Sequence, residues 1–483
     1  MRALVSTASF FFTFGVSAQT PQSAASAQAP ASKTKVAAVG AVDRHSADMI
    51  ALSDKIWVFA ETALKEHRSA ATLADYAEKK GFKVQRGVGG MPTAFIATAG
   101  KGKPIIGIMG EYDALPGISQ KATPTQDALV AGAGGHGCGH NLFGAASLGA
   151  ALAIKEQIDS GALKGTIRFY GTPAEEAVGG KTYMARDGLF NDVDVMLAWH
   201  PDDETLADTV TSQAMVDIAV EFHGRTAHAA YDPWNGRSAV DGVESFLHGV
   251  NLMREHIKPS SRLHYTIVSG GDVPNVIPDQ GKVWMWMRDW DRAEVDALLA
   301  RVRKVADGAA TMTETTVKVT VQGGSWNLLP NMTGARLLMQ NLEWLGPVSY
   351  TAEEIAFAKK IQAETGVPQT GMDLTLKPLE GQQLEGGSTD VADVSWVVPT
   401  LHVSVATSPK GAPWHAWPVV ASSGMSLGHK GMIRAAKTLA ATMVDLYEKP
   451  ELLAEVRADF EKQTQGVKFK AYIPDGPPPL PKE

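Results

Sequence analysis

The chemistry of this chain starts at its lone cysteine. Cys138 stands within Gly135-His136-Gly137-Cys138-Gly139-His140-Asn141, and with no second thiol it has no intramolecular disulfide partner. Thiolate and imidazole are the usual ligands of zinc-like ions. Read as an extended segment, positions i and i+2 point the same way, so Cys138 and His140 could face one ion. The competing reading is a buried, inert cysteine in a tight glycine turn, and the motif alone does not choose between them.

Two further clusters carry similar chemistry. Glu175 and Glu176 follow Pro173-Ala174. In an extended segment, neighbours point to opposite sides, so one carboxylate could bind metal while the other faces a reacting water. Taken alone, the pair reads better as a solvated acidic start to a helix, where the dipole favours acids. His200, locked by Pro201, ends an apolar run and is placed either as a ligand or as an ordinary surface histidine. Together, Cys, His, Glu and His at the ends of elements are the residue types of a catalytic zinc site with an open position. A bound ion brings the pKa of water to about 7, and a nearby carboxylate can take the proton. That combination points to hydrolysis. No strand leads into the Gly-x-Ser-x-Gly at 424–428, as a nucleophile elbow requires, and the full phosphate-binding Gly-x-x-x-x-Gly-Lys-Ser/Thr loop is missing. The polar stretch Gly386-Gly387-Ser388-Thr389-Asp390 has no nucleophile geometry.

The elements that must position these residues alternate from about Val36. Helices are expected at 47–80, 141–158 and 180–190, and strands at 104–110, 165–171 and 193–199. Such alternation predicts a largely parallel α/β sheet, whose active residues gather at strand carboxyl ends. Asp113, Glu175 and His200 each follow a predicted strand. The pattern changes near Thr211. Strands at 214–222, 262–269, 282–288 and 315–322, with helices at 238–257 and 291–308, give β-α-β-β-α-β order, the ferredoxin-like unit. After Leu328 helices resume, with a strand at 401–406 and a helix at 432–447. This reads as a small domain (212–328) inserted into a larger one (36–211 and 329–473), with simple tandem domains as the alternative. A Pro-rich tail, 474–483, is expected to be disordered or extended.

The 483 residues, 44% hydrophobic and 20% charged, suit two or three globular domains. A net charge of −7, a pI near 6.0 and scattered Lys and Arg argue against a nucleic-acid partner. Arg2, the apolar run Ala3 to Val16 and the small-residue site Val16-Ser17-Ala18 read as a secretory signal over 1–18, too short for a membrane span. An Ala/Ser/Gln/Pro-rich linker follows over 19–35. The implied compartment is periplasmic or extracellular, with no membrane span left after cleavage. A free thiol there is prone to oxidation unless something occupies it.

The motifs GEYDALPG (Gly110–Gly117), GHGCGHN (Gly135–Asn141), GTPAEE (Gly171–Glu176), AWHP (Ala198–Pro201), GGDVPNVIPD (Gly270–Asp279), GSTDVADVSWVVPT (Gly387–Thr400) and HAWPVVASSGMSLGHKGM (His415–Met432) occur in order along nearly the whole mature chain. In these the chain resembles the dinuclear metal-dependent amidohydrolases and carboxypeptidases related to carboxypeptidase G and the aminoacylases. More narrowly, it is similar to the branch of aminobenzoyl-glutamate hydrolases and plant auxin-conjugate hydrolases. The resemblance implies a phosphorylase/hydrolase-like α/β domain, its mixed, mostly parallel sheet flanked by helices, with an inserted ferredoxin-like dimerisation domain. It implies Cys138, His140, Glu176, His200 and His415 as ligands of two divalent ions (Zn, Mn or Ni) and Glu175 as general base. Among the C-terminal histidines, His402, His415 and His429 are equal by composition, and only the resemblance selects His415. The family's bridging aspartate is absent, which makes the Cys138 thiolate its substitute. Asp113 matches a carboxylate that orients a ligand histidine. His228 matches the histidine that a homodimer partner delivers to stabilise the oxyanion. Asn275 and Arg288 match residues that hold the substrate's carboxylate, and Arg288 shares a strand face with Trp284 and Trp286.

The expected activity is metal-dependent hydrolysis of a small-molecule amide, an N-acyl or N-aroyl amino acid. Two rivals stand beside it. A dipeptidase or aminopeptidase on the same scaffold would require a free α-amine. A catalytically silent binding or dimerisation protein would need no base beside a metal site.

Overall fold

The computed structural model describes residues 30–384 and 387–481. The signal and most of the linker expected at the N-terminus lie outside the described residues. Lys33 to Lys35 of that linker are already helical, because α1 runs Lys33–Phe59. The single helix expected over 47–80 is two. Ala60 and Leu64, both with positive φ, break the chain before α2 (His67–Lys79).

A seven-stranded sheet follows, built from β1 (Lys83–Arg86), β2 (Phe95–Lys101), β3 (Ile105–Gly110), β4 (Gly165–Gly171), β5 (Val195–Asp202) and β6 (Leu206–Ala207), with β13 (Thr400–Ala406) from far along the chain. Its order is β1-β2-β4-β3-β5-β13-β6. The four central strands are parallel and the edges antiparallel, so the fold is mixed α/β with a mostly parallel core. The central strands are apolar almost throughout, as burial on both faces requires. Helix α3 (His140–Asp159), rich in Ala and Leu and buried on most sides, packs with α1 and α11 (Ser426–Glu448). Helix α4 (Gly180–Arg186) is shorter than expected. The β1–β2 hairpin was not foreseen, since its four-residue first strand is mostly exposed and lacks a periodic signal.

Short β7 (Val210–Thr211) pairs with β12 (Gln383–Leu384). Between them the chain runs β8 (Ala214–His223), α5 (Ala239–Met253), β9 (Arg262–Ser269), β10 (Gln280–Asp289), α6 (Arg292–Thr313) and β11 (Thr316–Ser325). These strands form an antiparallel sheet in the order β11-β8-β10-β9, with a separate apolar core. On β10, Val283, Met285 and Met287 are buried, while Trp284, Trp286 and Arg288 share the opposite, partly exposed face. Side-chain caps begin α5 (Ser238) and α6 (Asp291).

The chain then returns to the first core through α7 (Met332–Leu345), α9 (Val391–Ser395), α11 and α12 (Pro450–Thr464), while α8 (Ala352–Thr365) and α10 (Trp417–Ser423) pack in small separate clusters. The last described residues carry no helix or strand. They are nonetheless packed: Phe469 and Tyr472 lie against Trp326, and the Trp326 indole donates to the Lys470 carbonyl.

Candidate metal centre

The parallel strands β3, β4, β5 and β13 bring their carboxyl ends to one rim, and the loops after them supply the site together with the start of α3 and His200, which lies on β5 itself rather than after it. The cysteine segment is not extended, contrary to the i, i+2 argument. Gly139 is left-handed at φ 73°, and His140 opens α3. A Cβ on Gly139 would sit 2.9 Å from Pro201 Cβ, so only glycine satisfies both the turn and the close approach to β5. The glutamates are not extended either. They lie in a turn after β4, and Ala174 just before them has φ 62°. Glu66 accepts the Ala174 N–H at 2.9 Å, which holds this uncommon conformation. His415 is also left-handed at φ 53°, and its N–H donates to the Gly137 carbonyl at 3.1 Å.

The donor atoms converge. Those of Cys138, His140 and His200 lie within 4.8 Å of one another, as do those of Cys138, Glu176 and His415. The five expected ligands thus fall into two groups that share one sulfur. Cys138 Sγ is 3.3 Å from His200 Nε2, and His415 Nε2 is 3.6 Å from Glu176 Oε2. His200 Nδ1 lies 2.6 Å from the Pro201 carbonyl, which can only accept, so Nε2 presents its lone pair to the cluster. Asp113 Oδ1 stands 2.9 Å from His140 Nδ1, and Oδ2 accepts the Glu176 N–H at 2.9 Å. His402 and His429, equal to His415 by composition, pair instead with Asp208 and Asp54.

Burial shapes the electrostatics. It pushes the Cys138 thiol up to about 12 and the Glu176 carboxyl up to about 7. Burial, reinforced by Glu111, Asp390 and Glu176, also raises Glu175 well above the usual carboxylate range. His200 is lowered to about 4 by burial and by His140. At His140 burial opposes charge, yet Glu111, Cys138 and Asp113 overcome it and raise the ring, so this spot favours positive charge. Three buried atoms of these side chains, Glu111 Oε2, His140 Nε2 and Glu176 Oε1, have no hydrogen-bond partner. Crowded carboxylates, a thiol and orphaned lone pairs are a poor arrangement in themselves and a good one around divalent cations. The residues fit metal ions.

Among the described residues, His228 belongs to none of the donor groups, and Asn275 and Arg288 have other neighbours. The His228 and Asn275 loops are zipped to each other, with a bridge from His228 to Val276 and a bond from the Ala229 N–H to the Asn275 carbonyl. Arg288 lies 5.1 Å from the Trp286 ring. Sequence reasoning missed Glu66, Glu111, Lys181 and Asp390. Glu111 stands two residues before Asp113 within GEYDALPG, but nothing local marks a lysine as buried.

A mixed α/β sheet whose strand ends gather thiol, imidazole and carboxylate donors around a glutamate defines a metal-dependent hydrolase of amide bonds. The chain belongs to peptidase family M20/M25/M40, whose pattern matches residues 107–415. It is 39% identical over 460 residues to one of the p-aminobenzoyl-glutamate hydrolase subunits of Escherichia coli (strain K12), covering 89% of this chain and 95% of that one. It is 29% identical over 460 residues to the Xaa-Arg dipeptidase of Homo sapiens, covering 90% and 94%. Its fold is similar to that of a dinuclear metal binding peptidase of family M20 from Bacillus subtilis, with a TM-score of 0.58 at 18% identity, covering 84% of this chain and 99% of that one. The aminobenzoyl-glutamate utilization protein from Klebsiella pneumoniae has a TM-score of 0.57 at 18% identity, with 84% and 98% covered.

Proposed function

We propose that the chain hydrolyses the amide bond of N-acyl or N-aroyl amino acids, with aminobenzoyl-glutamate as the type substrate. The observation that carries this reading is the pair of donor groups sharing the Cys138 sulfur, with Glu175 alongside. The likeness to a p-aminobenzoyl-glutamate hydrolase over most of both chains supports the substrate class.

In this reading Cys138, His140 and His200 hold one divalent ion, and Cys138, Glu176 and His415 hold a second, with Zn, Mn and Ni all suited to the donors. Bound there, such ions act as Lewis acids and lower the pKa of a water on them to about 7. Glu175 takes the proton of the attacking water and passes it to the leaving amine nitrogen. Asp113 accepts from His140 Nδ1 and fixes the tautomer that leaves Nε2 free. His228, delivered from a second copy, donates to the oxyanion. Asn275 and Arg288 hold the substrate's carboxylate, with Trp286 beside the guanidinium.

A homodimer through the second sheet is supported by the outer edge of β9, which no strand of the described residues pairs. Ile267 and Val268 are 56% and 53% exposed there, and Tyr265 is partly exposed. Unpaired, apolar edges of this kind seek another strand. The secretory pattern at the N-terminus supports a periplasmic or secreted enzyme, and no helix among the described residues is long and apolar enough to cross a membrane.

The test is a hydrolysis screen of aminobenzoyl-glutamate and other N-acyl and N-aroyl amino acids with Zn²⁺, Mn²⁺ or Ni²⁺ added. Metal-stimulated release of the free amino acid is expected. Turnover restricted to substrates with a free α-amine would overturn this reading in favour of a dipeptidase, which the likeness to the Xaa-Arg dipeptidase makes the one rival to include.

A further inference from the structure

Glu111 is almost fully buried, at 1% exposure, and its two oxygens have very different surroundings. Oε1 is gripped at 2.6 Å by the ammonium of Lys181, itself fully buried. That ammonium is shared with Asp390 Oδ1 at 2.6 Å, and the Lys181 N–H donates to Asp390 Oδ2 at 2.8 Å. The carboxylate is therefore not free to rotate. Its other oxygen, Oε2, is left 3.0 Å from His140 Nε2, and neither atom has a hydrogen-bond partner.

This pairing needs an explanation. Asp113 occupies His140 Nδ1, so in the neutral ring the proton sits there and Nε2 offers a lone pair. A carboxylate oxygen also offers a lone pair. Two acceptors pressed together out of water repel unless something positive joins them. The two atoms form no hydrogen bond at this geometry, and a divalent ion between them supplies the positive charge they need. Two donors of one divalent ion lie roughly 3–3.5 Å apart, and the 3.0 Å seen falls in that range. The donor atoms of Glu111, His140 and Glu175 also lie within 4.8 Å of one another.

We propose that Glu111 is a further donor to the ion held at His140, and that Lys181 is a positioning residue that aims it. The inference rests on the metal centre of the proposed function and adds a ligand and its brace to it. Lys181 serves two purposes. It balances two buried carboxylates beside a centre already rich in negative groups, and it spends one oxygen of Glu111 so that only the other is left for the ion. Through Asp390 it also ties the start of α9 to the loop after β3.

The experiment uses the full chain loaded with Co²⁺, whose visible absorption reports its ligands. Wild type, Glu111→Gln and Lys181→Met are compared by metal stoichiometry, by competition with a chelator and by the Co²⁺ spectrum. Glu111→Gln is expected to weaken one class of bound ion by about 10–100-fold and to shift the absorption, with Lys181→Met moving both readouts in the same direction. Equal affinity and superposable spectra for wild type and Glu111→Gln would overturn the inference while leaving the metal centre intact. A wild-type chain that takes up no Co²⁺ would overturn both. Should Lys181→Met fail to fold, the metal-loaded wild-type crystal structure decides: Glu111 Oε2 at roughly 2.0–2.2 Å from the ion supports the assignment, and an oxygen outside bonding distance overturns it.

Discussion

The demands on individual side chains are sharpest at Cys138, Glu175 and Glu176. Replacing Glu175 by Gln should lower turnover by about 10²- to 10⁴-fold. Metal content, checked by elemental analysis, should stay near wild type, because the amide keeps the shape and loses only the base. Replacing Cys138 by Ala should instead strip metal, since both donor groups lose their common sulfur. Ion uptake should also depend on pH in a defined direction. The thiol, pushed up to about 12, must give up its proton at any working pH. Glu176, raised to about 7, carries a proton below that pH and none above it. Affinity should therefore fall as pH drops and fall more steeply below about pH 7, where a second proton must leave. Calorimetry in buffers of different ionisation enthalpy counts those protons. A proton count that does not change across pH 7 would remove Glu176 from the ligand set.

Among elements, the turns that aim these side chains matter more than the strands that carry them. Gly139→Ala should destabilise the chain by about 1–3 kcal/mol in thermal unfolding, because it strains a left-handed residue and drives a methyl into Pro201. Glu66 offers a pH test at the neighbouring turn. Burial, with Asp113 adding to it, raises its carboxyl from an ordinary 4.5 to about 8. Between those values the folded chain keeps a proton that the unfolded chain releases, so metal-free stability should fall as pH rises through that window and level off above it. Glu66→Gln should flatten the curve, and denaturation midpoints across pH 5–9 would show it. The central strands and long helices were legible because their apolar runs and periodicities are strong. The convergence of Cys138 with His140 was foreseen on the wrong geometry: an extended backbone was assumed where a left-handed glycine and a helix start do the work. Glu66, Lys181 and Asp390 were invisible because their roles come from distant partners, 108 residues apart for Glu66 and Ala174 and 209 for Lys181 and Asp390.

At the scale of the whole molecule, His228, Asn275 and Arg288 stand on the second sheet and its loops, and His228 is in none of the donor groups of the described residues. If a second copy completes each site, two inactive variants should rescue each other. Mixing Glu175→Gln with His228→Ala and allowing subunits to exchange should restore about a quarter of wild-type activity, since random pairing makes half the dimers mixed and each mixed dimer holds one intact site. No recovery would place His228 outside the neighbouring site. Charging the outer edge of β9 with Ile267→Lys and Val268→Lys should yield monomers by analytical ultracentrifugation and lower activity with them.

The final stretch of the chain reaches both hydrophobic cores. Phe469 and Ile473 pack on the larger one, Tyr472 packs on the smaller one and bonds to Asp296 of α6, and Arg186 donates to the Gly476 carbonyl at 2.7 Å. The residues just before the Pro-rich tail are therefore a tether between two bodies, and the tail itself is held at Gly476. Shortening the protein to residue 466 for crystallisation, or fusing a purification handle directly behind it, should loosen the swing of the small sheet against the large one, visible as faster amide exchange along α6 and β11.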